Sequence, residues 1–425
     1  MSENLLQFIW LHRLYATHLP LKTTEGEDLI VLYPGQLNTN AGPDFLEAKL
    51  KIGQTLWAGN IELHLKSSDW TKHEHQENNS YSRLIMHVVY EDDAQIETRD
   101  QSEFPTLELK PYIDRQLLQN YAYLMQEKQF IPCHDAITKV RELTIKQQMT
   151  RMLAERLEEK TRHIHVLLQR YKNNWQEVFY IQLARGFGLH INQDAFEQLA
   201  IDTPLQLLAK HSFHPCQVEA LLFGQAGFLA DYFDEIYPVV LQKEYEHLQK
   251  LYQLQPGQKH RWKFLRLRPA NFPTLRIAQF AQLMLQSKQL FSKILEAQTI
   301  KELMQLFSVT VSDYWLEHYN FQEKSAERNK TLGSSFIRSL IINAVIPTLF
   351  MYGKQQGKEQ YCEKAIEFLE ALPPEKNAII DQWESTGVKA SSAADSQALL
   401  QLKNVYCDRK RCLECSIGYA LLRKG

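Results

Sequence analysis

The sequence is poor in the residues that build extended or low-complexity proteins. Its 425 residues include only 16 glycines and 15 prolines, which excludes collagen-like and linker-like architectures. Neither sign of charge dominates, because 48 Lys and Arg stand against 50 Asp and Glu. Aromatic residues make up 11% of the chain, too many for a disordered protein. The sequence therefore predicts a globular protein of two or three domains.

Signals for secretion and for membrane insertion are also missing. The first ten residues have neither the basic start nor the small-residue cleavage site of a signal peptide. The most apolar run, residues 335–352, is interrupted by Arg338 and Asn343, and it predicts a buried helix rather than a membrane span. Six cysteines without a secretory signal indicate reduced thiols. We therefore expect a cytoplasmic protein without a membrane partner.

Charge and periodicity both divide the chain. Residues 1–110 contain nine Lys and Arg against 17 Asp and Glu, whereas the remaining residues contain 39 against 33. Helical spacing over residues 3–17 is followed by short strand-like segments, and helical spacing then dominates from Pro111 onward. The sequence predicts an α/β domain at residues 1–112, followed by a large all-α domain at residues 113–425.

The predicted elements share apolar periodicity bounded by turn or capping residues. The strands are expected at residues 29–33, 45–52, 55–66, 83–90, 95–98 and 106–109, with a short helix in the polar stretch 67–80. The main helices are expected at residues 143–171, 175–186, 217–229, 238–254, 274–286, 334–352, 359–371 and 393–402.

The richest group of chemical side chains lies along the predicted strand 55–66. Side chains alternate between the two faces of a strand, so Glu62, His64 and Lys66 share one face. Asp44 begins the preceding strand, and an antiparallel hairpin brings its carboxylate beside Glu62. Two converging carboxylates suit Mg²⁺, and a basic or proton-transferring group beside them positions an attacking water. The pattern predicts metal-assisted phosphodiester hydrolysis, unless this face of the strand simply points to solvent.

These residues resemble the PD-(D/E)xK phosphodiesterase superfamily, whose core runs helix, three strands, a helix or loop, and a buried strand. The Pro-Asp pair ending at Asp44 resembles its PD, and Glu62 with His64 resembles its (D/E)xK. The resemblance, which covers residues 1–90, implies a restriction-endonuclease-like fold with Asp44 and Glu62 as metal ligands. Because His64 replaces the usual Lys, either His64 or Lys66 takes that role, or activity has been lost.

A wider set of residues also resembles an uncharacterised bacterial family of unknown function. This set comprises Asn38, Asn40, Asp44, Ser67, Ser68, Asp69, Trp70, His73, His75, Tyr81, His87 and Tyr90. The resemblance extends over the whole chain and implies no activity.

Four histidines, His64, His73, His75 and His87, fall within 24 residues. Imidazole is a good zinc ligand, but these residues have no established zinc-ligand spacing. We expect His73 or His75 to contact phosphate or to shuttle protons, and His87 to lie in the core of an apolar strand.

A basic and proline-rich segment occupies residues 263–276. Arg266, Arg268 and Arg276 are candidates for phosphate binding, and Asn271 lies among them. The alternative is a structural loop whose arginines cap helices or pair with acids.

Cysteines crowd the C-terminal part of the chain. Cys407, Cys412 and Cys415 have the C-x4-C-x2-C spacing of plant-type ferredoxins, which suits Zn²⁺ or an iron–sulfur cluster. A fourth ligand has to come from elsewhere in the fold, and the alternative is a set of buried thiols without metal. The candidates for the fourth ligand are Cys133, Cys216, Cys362 or a histidine.

Three functions are consistent with these patterns. The first is a Mg²⁺-dependent endo- or exonuclease that uses Asp44, Glu62 and His64 or Lys66. The second is a nucleic-acid-binding protein on the same fold that has lost catalysis. The third is a protein-interaction scaffold with a structural zinc site at the cysteines.

Overall fold

We describe the protein from a computed structural model, over residues 1–73, 79–96 and 105–423. The chain forms two compact units. The first unit comprises Met1–Met149, Ser385–Val388 and Leu402–Gly425, and the second comprises Thr150–Glu384 and Lys389–Gln401. An N-terminal mixed sheet followed by a large helical region is confirmed. The sheet ends before residue 112, but the first unit continues to Met149 and also includes the C-terminal segment.

Seven strands among the described residues form the mixed sheet of the first unit. They are β1 (Leu21–Lys22), β2 (Asp28–Tyr33), β3 (Gln36–Leu37), β4 (Phe45–Ile52), β5 (Thr55–Lys66), β6 (Leu84–Glu91) and β7 (Thr106–Glu108). The order is β1-β2-β4-β5-β6-β7, and β3 pairs with β4. Neighbours from β1 to β5 are antiparallel, whereas β5, β6 and β7 run parallel. Strand β6 is buried along most of its length, as its apolar sequence predicts.

The hairpin of β4 and β5 is irregular at the end that carries the candidate site. Phe45 pairs with Ile61 and Ala48 pairs with Gly59, so the register shifts between them. Glu47 lies in this irregularity with a φ of 59°, as expected for a β-bulge. Gly59 allows β6 to approach closely, because a Cβ at this position would lie 2.4 Å from the Ile85 side chain.

Among the described residues before residue 142, three stretches form α-helices: α1 (Glu3–His12), α2 (Asp69–Lys72) and α3 (Arg115–Gln126). The Ser2 hydroxyl caps α1 by accepting the Leu5 N–H at 3.3 Å. The helix ends at Arg13, which adopts a left-handed conformation with a φ of 51°. The predicted extension of this helix to residue 17 is therefore wrong. The short helix expected between the third and fourth predicted strands is present as α2.

The second unit is mainly helical. The long helix α4 (Glu142–Arg170) begins in the first unit and continues into the second. The other helices of the second unit are α5 (Trp175–Phe187), α6 (Gln193–Asp202), α7 (Leu205–Lys210), α8 (Pro215–Gln225), α9 (Ile236–Tyr252), α10 (Pro273–Gln286), α11 (Leu290–Glu296), α12 (Ile300–Gln305), α13 (Ser334–Leu340), α14 (Ile346–Gln356), α15 (Glu359–Ala371), α16 (Ala378–Ser385) and α17 (Ala393–Gln401). The last helix, α18 (Ser416–Arg423), belongs to the first unit. A small hairpin of β8 (His318–Asn320) and β9 (Glu323–Lys324) interrupts the helices, so this region is not purely α-helical. Its core contains stacked aromatic rings such as Phe223 on Trp315, with ring centroids 5.2 Å apart.

Two further predicted elements differ in the structure. Residues 95 and 96 are not in a strand, and residues 97 and 98 of that predicted strand lie outside the described residues. The apolar run forms one continuous helical stretch, Ser334–Gln356, with a π-helical segment at Ile341–Val345. Within the described residues, this stretch alone has the length and composition of a membrane span, and 61% of its most apolar window is buried.

Candidate active site

The first unit brings Asp44 and Glu62 together. Asp44 immediately precedes β4, and Glu62 lies on the neighbouring antiparallel strand β5. The Asp44 backbone N–H donates to Glu62 Oε2 at 3.0 Å, while Asp44 Oδ2 accepts the Leu63 N–H at 2.9 Å. Gln7 of α1 holds the other carboxylate oxygen of Asp44 at 2.8 Å. Strand pairing and a helix side chain therefore orient both carboxyl groups before any ligand binds.

Burial and mutual repulsion make this pair costly to ionise. Glu62 is only 5% exposed, and burial, followed by the charge of Asp44, raises its pKa to about 8. Burial likewise raises the pKa of Asp44 to about 6, although the hydrogen bond from Leu63 opposes the shift. The phenol of Tyr81 has its pKa raised to about 12 by burial and by the same two carboxylates. Carboxyl groups in such surroundings are stabilised either by a bound cation or by keeping their protons.

A chain of imidazoles continues from the carboxylates. His64 Nε2 lies 3.8 Å from Glu62 Oε1 and 3.2 Å from His73 Nδ1. On its other side, His64 Nδ1 lies 2.8 Å from Nε2 of His87 on β6. His64 and His87 are buried whereas His73 is exposed, so the chain links the interior of the sheet to solvent. His75 lies outside the described residues.

The remaining residues of this strand face different surroundings. Glu62 and His64 are buried, so this part of the strand does not point to solvent. Lys66 is exposed and lies 3.5 Å from the Asp93 carboxylate. Hydrogen bonds, mainly from the backbone of Ser68, lower the pKa of Asp93 to about 2. Of the two residues considered for the lysine role, His64 is therefore the one beside Glu62, and Lys66 forms an ion pair elsewhere.

A cavity of about 510 Å³ in the first unit lies next to this site. Its lining includes Gln7, which holds Asp44, together with Arg409 and Arg411 of the loop before α18. Arg409 is exposed, and Arg411 is paired with Glu414. Sequence reasoning did not assign these arginines to the site. The run of basic residues between Cys407 and Cys412 could have indicated a binding role. Its position near α1 could not be predicted, because the two segments are far apart in sequence.

The basic segment of the second unit has a different character. Arg276 lies on α10 and is 6% exposed, and its guanidinium donates to Gln279 at 2.8 Å and to Asn271 at 2.6 Å. The same group lies 3.5 Å from the centroid of the Phe336 ring. These contacts favour a structural role for Arg276 and Asn271, and the phosphate contacts predicted for them gain no support. Arg266 and Arg268 are exposed, as predicted for binding residues.

The six cysteines are all thiols. Cys407, Cys412 and Cys415 belong to the first unit, and so does Cys133, whereas Cys216 and Cys362 belong to the second unit. Across residues 1–73, 79–96 and 105–423, no group of three or more His, Cys, Asp or Glu side chains is arranged to hold a metal ion. The zinc site proposed from spacing therefore stays a prediction.

Comparison with known proteins identifies the family of the chain. Residues 3–378 match the model of a family described as a protein of unknown function, DUF2851. The chain belongs to this family. The matched residues include Asp44, Glu62 and the three described histidines of the site, and they end before Cys407. No curated protein and no solved structure matches the chain.

Proposed function

We propose that Asp44 and Glu62 bind a divalent cation, Mg²⁺ in the first place, and that the protein hydrolyses phosphodiester bonds in nucleic acid. The observation that carries the proposal is the pair formed by the half-buried Asp44 and the buried Glu62. The Asp44 N–H donates to Glu62 Oε2 and the Leu63 N–H donates to Asp44 Oδ2, and His64 lies 3.8 Å from Glu62. Carboxylate oxygens are the ligands that Mg²⁺ prefers, and one or two of them are usual because Mg²⁺ retains several waters.

The donor set fits such a cation. Asp44 and Glu62 would hold it, and a cation there would offset the cost of ionising two carboxyl groups whose pKa values burial raises. A bound divalent cation supplies Lewis acidity to a phosphoryl oxygen and lowers the pKa of a ligated water. Because Glu62, with its pKa raised to about 8, retains its proton near neutrality, cation binding is expected to release a proton and to strengthen with rising pH.

The protein side chains then have separate tasks. His64 accepts the proton of the attacking water, the task that imidazole performs most often in enzymes. Its contact with His73 at 3.2 Å offers that proton a path to the surface. His87 holds the His64 ring from the buried side at 2.8 Å, while Gln7 and Leu63 fix the orientation of Asp44.

Two further features favour a nucleic acid as the substrate. Arg409 and Arg411 line the cavity that also includes Gln7, and guanidinium groups pair well with phosphate oxygens. The order of α1, antiparallel strands, α2 and the parallel strand β6 follows the core order of the restriction-endonuclease-like fold. We include the PD-(D/E)xK assignment, with His64 in place of the lysine, in this proposal.

Cleavage assays on the full chain test the proposal. Labelled single- and double-stranded DNA and RNA, linear and circular, are incubated with Mg²⁺ or Mn²⁺. We expect metal-dependent cleavage that falls about 1,000-fold or more in Asp44→Asn and Glu62→Gln. Asp28→Asn is the matched control, because Asp28 is an exposed acid of the same sheet.

A titration with Mn²⁺ alone separates metal binding from substrate choice. The wild type and Asp28→Asn should bind Mn²⁺, and Glu62→Gln should bind it at least about 100-fold more weakly. Salt-dependent binding of nucleic acid without turnover would favour the non-catalytic alternative and overturn the enzyme proposal. Absence of both cleavage and Mn²⁺ binding would overturn the site itself.

A further inference from the structure

Another cavity, of about 400 Å³, lies wholly within the second unit. Its walls come from α5, α7, α8, α10 and α11, and from the short connection between α10 and α11. Protein interiors are packed nearly as densely as organic crystals, so a void of this size is unusual. Its volume falls within the range of small-molecule binding sites. The cavity is therefore a candidate site that no sequence motif indicated.

The buried part of the lining is apolar. Its members include Phe179, Leu183, Leu208, Val218, Leu290 and Phe291. Tyr180 also lines the cavity, but its hydroxyl donates to the Thr203 carbonyl at 2.8 Å, so the polar group of this side chain already has a partner. Apolar cavities hold water poorly and accept apolar ligands. The buried lining therefore favours a hydrocarbon group.

The exposed part of the same lining is polar. Gln206, Lys288 and Gln289 are exposed, and Ser212 and Ser287 are half-buried. The cavity thus changes from apolar in the interior to polar where it meets solvent. An amphiphile has the same distribution of polarity, because its hydrocarbon tail avoids water and its head group requires water or polar partners.

The charge at the opening is positive. Among the lining residues, all of which lie in the described part of the chain, Lys288 carries a charge and no Asp or Glu is present. Lys288 Nζ lies 4.0 Å from the centroid of the Phe213 ring, and Phe213 is 77% exposed. This contact joins the connection before α11 to the segment after α7, both of which contribute to the exposed lining. An ammonium group without an acid beside it favours an anionic head group.

We propose that this cavity binds a single-chain carboxylate, such as a medium- or long-chain fatty acid. The alkyl chain lies against the buried residues of α5, α8 and α11, and the carboxylate lies at Lys288. One alkyl chain suits a cavity of about 400 Å³, and one carboxylate balances one ammonium group. Ser212 adds a hydroxyl donor at the opening, and a carboxylate can accept several hydrogen bonds.

Calorimetric titration of the full chain with octanoate, decanoate, dodecanoate and tetradecanoate tests the proposal, with each ligand below the concentration at which it forms micelles. We expect one ligand per chain, with an affinity that rises about fourfold for each added methylene until the cavity is filled. Binding should also change the fluorescence of Trp175, because its ring stacks on Phe291 with ring centroids 5.9 Å apart.

Changes of head group and of Lys288 test the role of charge. Dodecylammonium should bind at least about tenfold more weakly than dodecanoate, because its charge repels Lys288. Lys288→Ala should weaken dodecanoate binding about three- to tenfold and leave dodecanol binding unchanged. Lys293→Ala is the matched control, since Lys293 is an exposed lysine of α11 outside the lining, and it should retain the wild-type affinity.

A substitution at the opening tests the location. Ala209 is an exposed residue of α7 that lines the cavity, so the indole of Ala209→Trp should obstruct the opening and weaken dodecanoate binding at least about tenfold. Ala154→Trp, at an exposed position of α4 outside the lining, is the matched control and should bind normally.

Several results would overturn the proposal. They are absence of dodecanoate binding, binding of many ligands per chain without saturation, equal affinity for dodecanoate and dodecylammonium, and unchanged affinity in Ala209→Trp. Binding to phosphatidylglycerol vesicles without binding of dodecanoate would assign the surface to a membrane instead. If circular dichroism shows that Ala209→Trp does not fold, the chain-length series and the loss of affinity in Lys288→Glu decide the question. None of these measurements involves a metal ion or nucleic acid, so this proposal and the proposed hydrolysis can fail separately.

Discussion

Buried acids are found in both units, but they are stabilised in different ways. Glu219, on α8 of the helical unit, is 3% exposed. Three neutral donors hold its carboxylate: Ser312 at 2.8 Å, Tyr237 at 3.0 Å and Gln282 at 3.2 Å. Burial raises its pKa, and all three hydrogen bonds oppose that shift. Glu219 is therefore compensated by the protein itself, as buried polar groups usually are.

Glu62 is buried to a similar extent but faces a second acid. Its neighbour Asp44 donates one backbone hydrogen bond and at the same time adds a repulsive charge. Such an arrangement costs stability whenever both groups ionise, and proteins retain it mainly where a cation or a shared proton has a function. The comparison shows that burial of an acid is not enough to indicate a functional site. What distinguishes Glu62 from Glu219 is that its neighbour is a second acid instead of a set of neutral hydrogen-bond donors.

The largest expected effect is on the pH dependence of stability without metal. The pKa of Glu62 is raised to about 8 and that of Asp44 to about 6. Between the usual carboxyl pKa of about 4 and these raised values, the folded state therefore binds more protons than the unfolded state. The contribution of these two groups to the free energy of unfolding is fully present below about pH 4, and it is lost as pH rises through their folded pKa values. The slope reaches about 1.4 kcal/mol per pH unit for each proton.

Denaturant unfolding at pH 5 to 8 in a chelator measures this effect. Glu62→Gln should flatten the dependence, and saturating Mg²⁺ at pH 8 should restore stability to the wild type. Glu219→Gln serves as the comparison, since it removes a compensated acid and should not abolish the Mg²⁺ effect. A wild type whose stability is flat over this range would contradict the assigned difference between the two acids.

The next effect concerns buried histidines. At saturating metal, His64→Ala should lower the kcat of cleavage about 100-fold, because the group that accepts the proton is gone. His318 of the second unit is the matched control, being buried and 3.2 Å from Glu235. His318→Ala should reduce stability and leave kcat and its pH profile unchanged. Equal losses of kcat in the two variants would show that His64 is structural.

The smallest effect concerns the arginines. Arg409→Ala should weaken nucleic-acid binding by about three- to tenfold and reduce its salt dependence by one phosphate contact. Arg276→Ala should lower the free energy of unfolding by about 2–3 kcal/mol, because Oε1 of Gln279 and Oδ1 of Asn271 lose the donor that they have in the wild type. Filter binding at several salt concentrations and thermal unfolding measure the two effects. If Arg276→Ala weakened binding while Arg409→Ala did not, the phosphate contacts would belong to the helical unit.

Local pattern was sufficient for much of the sheet. Alternation and turn residues predicted the bounds of β4 and β5 and the neighbouring positions of Asp44 and Glu62, because a hairpin is a short-range structure. The end of α1 at Arg13 was not predictable in the same way, since apolar spacing continues past it. The burial of Arg276 was also missed. The sequence around a basic residue in a helix does not reveal whether its side chain faces solvent or, as here, the ring of Phe336.

Composition and periodicity alone determined the class of this protein: a mixed sheet first, a large helical region after it, and a hairpin that carries two acids. These features depend on residues close in sequence, whose preferences add over each segment. Tertiary structure decided which charges are buried and which acid faces another acid. These are contacts between distant segments, and they form because packing the core brings particular side chains together.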